Sequence, residues 1–185
     1  MIAYRKGKHI MLDIEPKFPI CIVDGCDASG KSTLINRLME RHPNNCYIHN
    51  AVADDIKSLH ENTINAALVA SQEHWVFIDR LHLSEKVYGT VFRNGPSYDT
   101  DAFDKMITAR IPSLKKILCI VDKETALSKH AERKDIEMFD DISKVWDMYA
   151  EVAENDKTWT KYNWKTSTID LDTLDVNEDW EDKVI

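Results

Sequence analysis

The pattern of apolar and polar positions changes period repeatedly along the chain. Short continuous apolar runs alternate with longer stretches in which apolar residues recur every three or four positions, as in buried strands and amphipathic helices. The apolar runs predict five strands, at residues 18–25, 46–50, 74–80, 115–122 and 166–171. The helical spacing predicts seven helices, at residues 31–42, 54–70, 83–92, 98–110, 123–134 and 138–154 and in a short acidic stretch after the last strand. This alternation predicts an α/β fold with a mainly parallel sheet of five strands flanked by helices.

The first strand and helix show the two patterns most clearly. Residues 18–25, "FPICIVDG", are almost continuously apolar and end in glycine, as expected of a strand that is buried on both faces. In residues 31–42 the side chains of Leu34, Ile35 and Leu38 recur at helical spacing. The glycine-rich segment between them therefore joins a buried strand directly to a helix.

Length and apolar content set the domain organisation. The chain has 185 residues, of which 43% are hydrophobic, so one domain with a substantial core is expected. We expect residues 18–185 to form this domain and residues 1–17 to precede it as a hairpin or an edge strand. No apolar run approaches the roughly 18 residues that a membrane span needs, so no membrane association is expected.

Charge and cysteine usage narrow the partners and the compartment. The net charge is −8, which argues against a nucleic-acid partner because such proteins usually carry a basic face. The four cysteines do not form Cys-x-x-Cys pairs, so we interpret them as free thiols of a cytoplasmic protein. They are Cys21, Cys26, Cys46 and Cys119.

A phosphate-loop motif occupies residues 25–32, "GCDASGKS", and matches G-x-x-x-x-G-K-[ST] without departure. Its consecutive backbone N–H groups, together with the helix N-terminus, form a cradle for phosphates. Lys31 adds a positive charge for the β- and γ-phosphates, and the Ser32 hydroxyl is a suitable ligand for Mg²⁺. The expected ligands are therefore ATP and Mg²⁺, held by Gly25, Cys26, Ala28, Ser29, Gly30, Lys31, Ser32 and Thr33.

A second polar group follows the third predicted strand. Asp79 and Arg80 stand at its carboxyl end, the edge where open α/β sheets bind ligands. Asp79 can orient a Mg²⁺-bound water beside the phosphate loop, so we expect Ser32 and Asp79 to form the metal site. Arg80 offers a bidentate fork that suits a phosphate group. The alternative is that Asp79 and Arg80 only cap the next helix.

Three classes of phosphate-loop protein remain at this point. Switch GTPases read guanine with an Asn-Lys-x-Asp segment after a strand, and the corresponding stretch here is "CIVDKETA" at residues 119–126. Motor-like ATPases are usually larger and need additional sensing elements. A compact chain of this length favours a small-molecule kinase.

The linked motifs resemble those of thymidylate kinases and related deoxynucleoside monophosphate kinases. The shared pattern is G-x-D-x-x-G-K-S-T followed by a strand that ends in Asp-Arg, with Ser84 a few residues later. Glu85, the Val-Tyr-Gly sequence at 87–89 and Arg93 are similar to the compact viral versions. Downstream, "ETALSKHAER" at 124–133 resembles the lid entry of these kinases.

The resemblance implies a P-loop NTPase fold, a five-stranded parallel sheet and transfer of the γ-phosphate of ATP to a deoxynucleoside monophosphate, most simply a dTMP-like acceptor. It places Arg80 on the acceptor phosphate and Arg133, within a short lid at about 129–140, against adenine or the migrating phosphoryl group. Relatives of this kind are commonly dimers, so a homodimer is possible. The catalytic residues expected are Lys31, Arg80, Asp27 and Arg133.

Asp27 lies inside a loop built to hold anions. A carboxylate about 4 Å from a phosphate would be repelled by about 4 kcal/mol at a surface-like dielectric. We therefore expect the Asp27 side chain to point out of the cradle and face the acceptor, as the resemblance also implies; a loop-stabilising hydrogen bond is the alternative. The residues expected to contact the acceptor are Asp27, Arg80, Ser84, Tyr88, Phe92 and Arg93.

One stretch departs from the thymidylate kinase pattern. These kinases carry an arginine after the second strand that reaches the monophosphate, whereas residues 49–72 contain no arginine and only one lysine, Lys57. Either Arg93 takes over the acceptor phosphate or the acceptor differs. The alternatives are a kinase that acts on a nucleoside or on a modified base or end in DNA, and an ATP-binding regulator without transfer activity.

Overall fold

A five-stranded parallel sheet forms the centre of the fold. The structure is a computed structural model that describes residues 11–51, 53–132 and 141–178. The strand order is β2-β3-β1-β4-β5, and every neighbouring pair is parallel. The strands are β1 Ile20–Gly25, β2 Asn45–His49, β3 Trp75–Asp79, β4 Lys115–Cys119 and β5 Thr160–Tyr162. This confirms the predicted α/β architecture.

Helices cover both faces of the sheet. They are α1 Lys31–Arg41, α2 Ile56–Ala70, α3 His82–Arg93, α4 Thr100–Arg110, α5 Lys123–Ala131 and α6 Ile142–Asn155. On β1 the side chains of Ile20 and Ile22 join the core under α2, α3, α4 and α6, whereas those of Cys21 and Val23 join the core under α1. Its burial on both faces agrees with its continuous apolar run.

The sheet register brings the two polar motifs together. Val23 on β1 pairs with Asp79 on β3, and Gly25 pairs with Cys119 on β4. The phosphate loop leaves β1 at the same carboxyl edge at which Asp79 and Arg80 leave β3. Because the chain connections of β1 and its neighbours diverge here, this edge is a topological switch point, where ligands bind in open α/β sheets.

The prediction of a fifth sheet strand at residues 166–171 is wrong. Only its middle is extended, as β6 Ser167–Ile169, and it pairs antiparallel with β7 Val176–Glu178 in a separate two-stranded sheet. The fifth strand of the parallel sheet is β5 instead. β5 is three residues long at the sheet edge and has no apolar run, whereas β6 buries alternate side chains, as expected of a strand with one covered face.

The short acidic helix predicted after that strand is also wrong within the described residues. The backbone N–H groups of Asp172 and Thr173 donate to the carboxylate of Asp170, at 2.8 Å and 3.2 Å, and form a turn. Aspartate side chains compete in this way with helical hydrogen bonds. The turn leads into β7, and residues 179–185 lie outside the described residues.

The structure describes only part of the segments at the two ends of the chain. Residues 11–17 form neither helix nor strand, and they are tied to the body by bonds such as that from the Leu12 N–H to the side chain of Asn65, at 2.8 Å. Residues 1–10 and 133–140 lie outside the described residues, so the domain boundaries, the lid and Arg133 stay predictions. In the part of the chain that the structure describes, no helix is long and apolar enough to span a membrane. The cytoplasmic location and the homodimer stay predictions.

A buried ion cluster joins α3, α4 and β4. The Asp104 carboxylate accepts hydrogen bonds from Lys116 Nζ, at 2.8 Å and 3.0 Å, and lies 2.8 Å from His82 Nε2. Burial raises the pKa of Asp104, but the hydrogen bonds from His82 and Lys116 outweigh it and bring the pKa to about 2. The cluster therefore stabilises the folded chain through an ionised Asp104.

Asp104→Asn is expected to lower the free energy of unfolding by about 2 kcal/mol at neutral pH. A folded-state pKa below the unfolded value gives stability that is present above about pH 4 and is lost as the pH falls toward 2. Urea denaturation of wild type and variant should therefore show a difference that closes over this window. Asp101→Asn, which removes an exposed ion pair with Lys86, should change the unfolding free energy by less than about 1 kcal/mol. A difference independent of pH would contradict the role given to the Asp104 charge.

Candidate functional site

The phosphate loop has the backbone conformation that a phosphate cradle requires. Gly25, Ala28 and Gly30 all have positive φ angles, of 143°, 63° and 93°. Gly30 precedes α1 and no side chain caps the first turn of that helix. The N–H groups at the start of α1 therefore face the loop without a side-chain partner and can bind an anion.

Lys31 is buried at the base of this loop. Its Nζ donates to the carbonyl oxygens of Gly25 and Cys26, at 2.8 Å and 2.7 Å. Burial, together with the nearby charge of Arg80, lowers the pKa of Lys31 to about 8, and Asp27 acts in the opposite direction. Both present acceptors are neutral, and a phosphate would form a stronger, charge-assisted hydrogen bond.

Asp27 points toward Arg80 and away from the cradle. Arg80 Nη2 donates to one Asp27 oxygen at 2.5 Å, and Tyr88 Oη donates to the other at 3.0 Å. The Arg80 guanidinium carbon also lies 5.1 Å from the centroid of the Tyr88 ring. Burial raises the pKa of Asp27, but the charges of Arg80 and Lys31 outweigh it, so the pKa is below its ordinary value and the carboxylate is ionised. The structure thus brings three predicted acceptor-side residues into contact.

Asp24 organises this region, and sequence reasoning missed it. The residue is fully buried, and its Oδ1 accepts hydrogen bonds from the Gly25 N–H, Ser84 Oγ and Tyr149 Oη, at 2.8 Å, 2.6 Å and 2.8 Å. Its Oδ2 accepts from the N–H groups of Leu81 and Ser84 and so caps the start of α3. The signal was present, because a carboxylate that ends an apolar strand must find partners when buried.

Arg80 is held in one orientation from three sides. Its own φ is 69°, in the left-handed region, and its Nη1 donates to Ser84 Oγ at 3.3 Å in addition to the contacts with Asp27 and Tyr88. The Ser84 hydroxyl is buried and donates to Asp24. The structure therefore shows Ser84 supporting Arg80, and its direct contact with a substrate stays a prediction.

Asp79 lies beside the loop with one oxygen unused. Its Oδ2 accepts from Tyr47 Oη at 3.0 Å and lies 3.1 Å from His49 Nδ1. Burial and the hydrogen bond to Asp79 raise the pKa of Tyr47 to about 12 and keep that hydroxyl a donor. The other carboxylate oxygen of Asp79, Oδ1, is buried and has no hydrogen-bond partner among the described residues. The capping of α3, an alternative role for Asp79, is performed by Asp24.

Part of the phosphate loop, together with Asp79 and Arg80, lines one open cleft of about 190 Å³. The lining residues are Asp27, Ala28, Gly30, Lys31, Ser32, Thr33, His49, Asp79 and Arg80. His49 was not predicted, although its position at the end of β2 beside β3 was a signal. The Ser32 hydroxyl and the unpaired Asp79 oxygen are the hard donors that Mg²⁺ prefers, so the residues fit this ion. The described residues contain no cluster of three or more acidic, His or Cys ligands, so its remaining ligands would be water and phosphate oxygens.

Four of the six predicted acceptor residues do not line this cleft: Ser84, Tyr88, Phe92 and Arg93. Arg93 Nη2 donates to Glu85 Oε2 at 2.5 Å, and the other Glu85 oxygen accepts from the Ser97 N–H at 2.7 Å. The ring of Phe92 stacks on that of Tyr88 with centroids 6.1 Å apart. Among the described residues neither Arg93 nor Phe92 lines the cleft, so the structure does not bring Arg93 to Arg80 as a second phosphate ligand.

Comparison with known proteins finds likeness to solved structures only. No protein-family model matches the chain, and no curated protein matches it. The YorR protein of Bacillus subtilis, solved with phosphorylated GDP, superposes with a TM-score of 0.64 and 23% identity over 84% of this chain and 90% of that one. The deoxyadenosine kinase of M. mycoides with bound dATP gives a TM-score of 0.46, 15% identity and coverage of 84% and 94%. The thymidylate kinase of Ehrlichia chaffeensis gives a TM-score of 0.46 and 16% identity, with coverage of 78% of this chain and 93% of that one.

The likeness to the Bacillus protein bears on the fold. The match covers 84% of this chain and 90% of the Bacillus chain. This chain itself holds a five-stranded parallel sheet with the phosphate loop between β1 and α1. The glycine-rich loop at the switch point of a parallel sheet is the defining feature of this architecture. The chain has an α/β P-loop NTPase fold.

Proposed function

We propose that this protein is an ATP- and Mg²⁺-dependent kinase that transfers the γ-phosphate of ATP to a deoxynucleoside monophosphate, with a dTMP-like acceptor. The observation that carries the proposal is the Asp27–Arg80 pair beside the phosphate loop. A loop that only stored a nucleotide would not need a fixed arginine on its open side. The nucleotide bound to the Bacillus protein of the same fold supports a nucleotide ligand.

The donor side of the site is the loop itself. Lys31 exchanges its two carbonyl partners for phosphate oxygens, while the N–H groups at the start of α1 hold the same phosphates. Ser32 and Asp79 would hold Mg²⁺, which would neutralise charge on the phosphate oxygens. These groups orient the γ-phosphate toward Arg80.

The acceptor side depends on Arg80 and Asp27. A guanidinium has five N–H donors, and the contacts with Asp27 and Ser84 leave donors for the acceptor phosphate. An acceptor phosphate oxygen attacks the γ-phosphorus, a new P–O bond forms, and the bond to ADP breaks. Arg80 aligns the acceptor and neutralises charge in this step, and Asp27 keeps Arg80 in place and faces the acceptor sugar.

One observation favours a second candidate, a nucleoside as the acceptor. Of the described residues that line the cleft, Lys31 and Arg80 are the only Lys or Arg, and Asp27 balances the charge of Arg80. Lys57, the one lysine in residues 49–72, is exposed and its Nζ lies 3.9 Å from a carboxylate oxygen of Glu61. A dianionic acceptor would meet little net positive charge here, whereas a nucleoside hydroxyl is neutral.

An acceptor screen tests both candidates. The protein is incubated with Mg²⁺ and γ-labelled ATP and with each deoxynucleoside monophosphate, each deoxynucleoside and a DNA oligonucleotide. Labelled diphosphate from a monophosphate supports the first candidate, and labelled monophosphate from a nucleoside supports the second. Label on the oligonucleotide alone, or ATP binding without transfer to any acceptor, would overturn both and favour a DNA end kinase or a regulator respectively.

Asp27→Asn is expected to raise the KM for the acceptor by about tenfold, because it removes a charge-assisted hydrogen bond to Arg80. The affinity for ATP should stay within about twofold, since Asp27 points away from the cradle. Steady-state kinetics and ATP titration check the two effects. Asp172→Asn removes an exposed Asp–Arg pair with Arg41 and should change neither quantity. A larger loss of ATP affinity than of acceptor affinity would place Asp27 on the donor side.

A further inference from the structure

The turn after β5 presents an aromatic side chain to the phosphate loop. Residues 163–166 join β5 to β6 at the carboxyl edge of the sheet, and they include Trp164. A Cβ atom added to Gly30 would lie 2.6 Å from Cδ1 of this indole, so the ring edge rests directly on the loop. Trp164 nevertheless stays 42% exposed. A large apolar ring at this edge is thus neither buried in the core nor remote from the phosphate cradle.

The side chain of Lys165 lies over one face of the Trp164 indole. Lys165 Nζ lies 5.8 Å from the centroid of the Trp164 ring and 3.1 Å from the Asp122 carboxylate, and it also donates to Thr125 Oγ1. These contacts fix the ammonium over one face of the ring. Trp164 keeps 42% of its surface exposed, and an exposed indole is a strong site for a flat aromatic ligand.

The turn itself uses its backbone donors internally. The Asn163 side chain accepts from the Lys165 N–H at 3.0 Å, and the Asn163 carbonyl accepts from the N–H groups of Thr166 and Ser167, at 3.0 Å and 2.7 Å. Three consecutive N–H groups that could read the edge of a base are therefore occupied. The turn offers a ligand the ring of Trp164 rather than a set of backbone donors.

Sheet order places this ring on the donor side of the site. Arg80 and Asp27 stand on the β3 side of β1, and the turn stands on the other side, beyond β4. If the γ-phosphate faces Arg80, the rest of the donor extends away from it. That direction leads across the start of α1 toward Trp164.

We propose that Trp164 is the stacking platform for the base of the phosphate donor, and that it accepts a purine base by ring contact without selecting adenine over guanine. This rests on the proposed function for the identity of the donor as a nucleoside triphosphate. Stacking on an aromatic side chain tolerates different bases, because every base has a π-face. ATP and GTP should therefore bind with similar affinity.

The test compares ligands with and without a base. Calorimetric titrations with the Mg²⁺ complexes of ATP, GTP and inorganic tripolyphosphate are made on wild type, Trp164→Ala and Trp164→Phe. Trp164→Ala should lose about tenfold in affinity for both nucleotides and stay within about twofold for tripolyphosphate. Trp164→Phe keeps an aromatic ring and should retain most of the nucleotide affinity. Phe18→Ala, which removes a 38% exposed aromatic ring before β1 at the opposite edge of the sheet, is the control and should change none of the affinities.

The outcomes separate stacking from support of the loop. An equal loss for tripolyphosphate and ATP in Trp164→Ala would mean that the ring only supports Gly30 and would overturn the proposal. Unchanged nucleotide affinity, a marked preference for ATP over GTP in the wild type, or equal wild-type affinity for ATP and tripolyphosphate would overturn it as well. A wild type that binds none of the three ligands would overturn the proposed function too. Nucleotide binding as predicted, without transfer to any acceptor, would refute the kinase and leave the stacking platform supported.

Discussion

Lys31→Ala is expected to lower kcat for phosphate transfer by about 10³-fold, with the fold retained. The charge of Lys31 lies at the base of the phosphate loop, where the negative charge of the transferred phosphoryl group must be neutralised. Lys31 Nζ donates to the carbonyls of Gly25 and Cys26 and forms no ion pair with the described residues, so its loss removes no ion pair seen in the described part of the fold. The stability of the variant should therefore be close to that of the wild type, or higher, because a buried charge has been removed.

Single-turnover and steady-state assays with the acceptor found in the screen measure the effect, and circular dichroism with thermal unfolding measures the fold. Lys86→Ala is the matched control. Lys86 carries the same charge on α3 but pairs with Asp101 on the surface, and its loss should leave kcat within about twofold. If Lys31→Ala kept most of the wild-type kcat while folded, the phosphate loop would not be the site of transfer.

The parts of the site that the sequence predicts are those encoded in contiguous residues. The glycines, Lys31 and Ser32 of the loop belong to one local motif, and Arg80 directly follows an apolar strand. Parallel strands end at a common edge, so the meeting of Asp27 and Arg80 follows from the strand order once both motifs are placed. The α/β architecture is likewise predictable, because the spacing of apolar residues alone distinguishes buried strands from amphipathic helices.

The parts that sequence reasoning missed depend on contacts between distant residues. Asp24 meets Ser84 across 60 positions and Tyr149 across 125, and no local pattern records such a pairing. The fifth sheet strand was misplaced for a related reason. Thr160–Tyr162 is polar and short, so its place beside β4 comes from the sheet edge that it completes rather than from its own residues.

Glycine at position 25 is demanded by the approach of β4 to the phosphate loop. Gly25 has a φ of 143° and pairs with Cys119 on β4. A Cβ atom at position 25 would lie 2.1 Å from the Cys119 carbonyl oxygen, which is a backbone atom at the carboxyl end of β4. Such an atom cannot move aside as the end of a flexible side chain can. Gly95 has a similar φ of 132° in the loop after α3, but an added Cβ there would meet nothing within 4 Å.

Gly25→Ala is therefore expected to lower the free energy of unfolding by about 4 kcal/mol or more, because it combines backbone strain with a clash against β4. Gly95→Ala, the matched control, carries the strain without the clash and should cost about 1–2 kcal/mol. Urea denaturation of both variants isolates the clash as the difference between them. Any folded Gly25→Ala protein should also bind ATP more weakly than the wild type, since β4 and the loop must separate to admit the methyl group. Equal losses of stability in the two variants would mean that β1 and β4 move apart at little cost, and the close approach of β4 would then not be what requires glycine at the start of the phosphate loop.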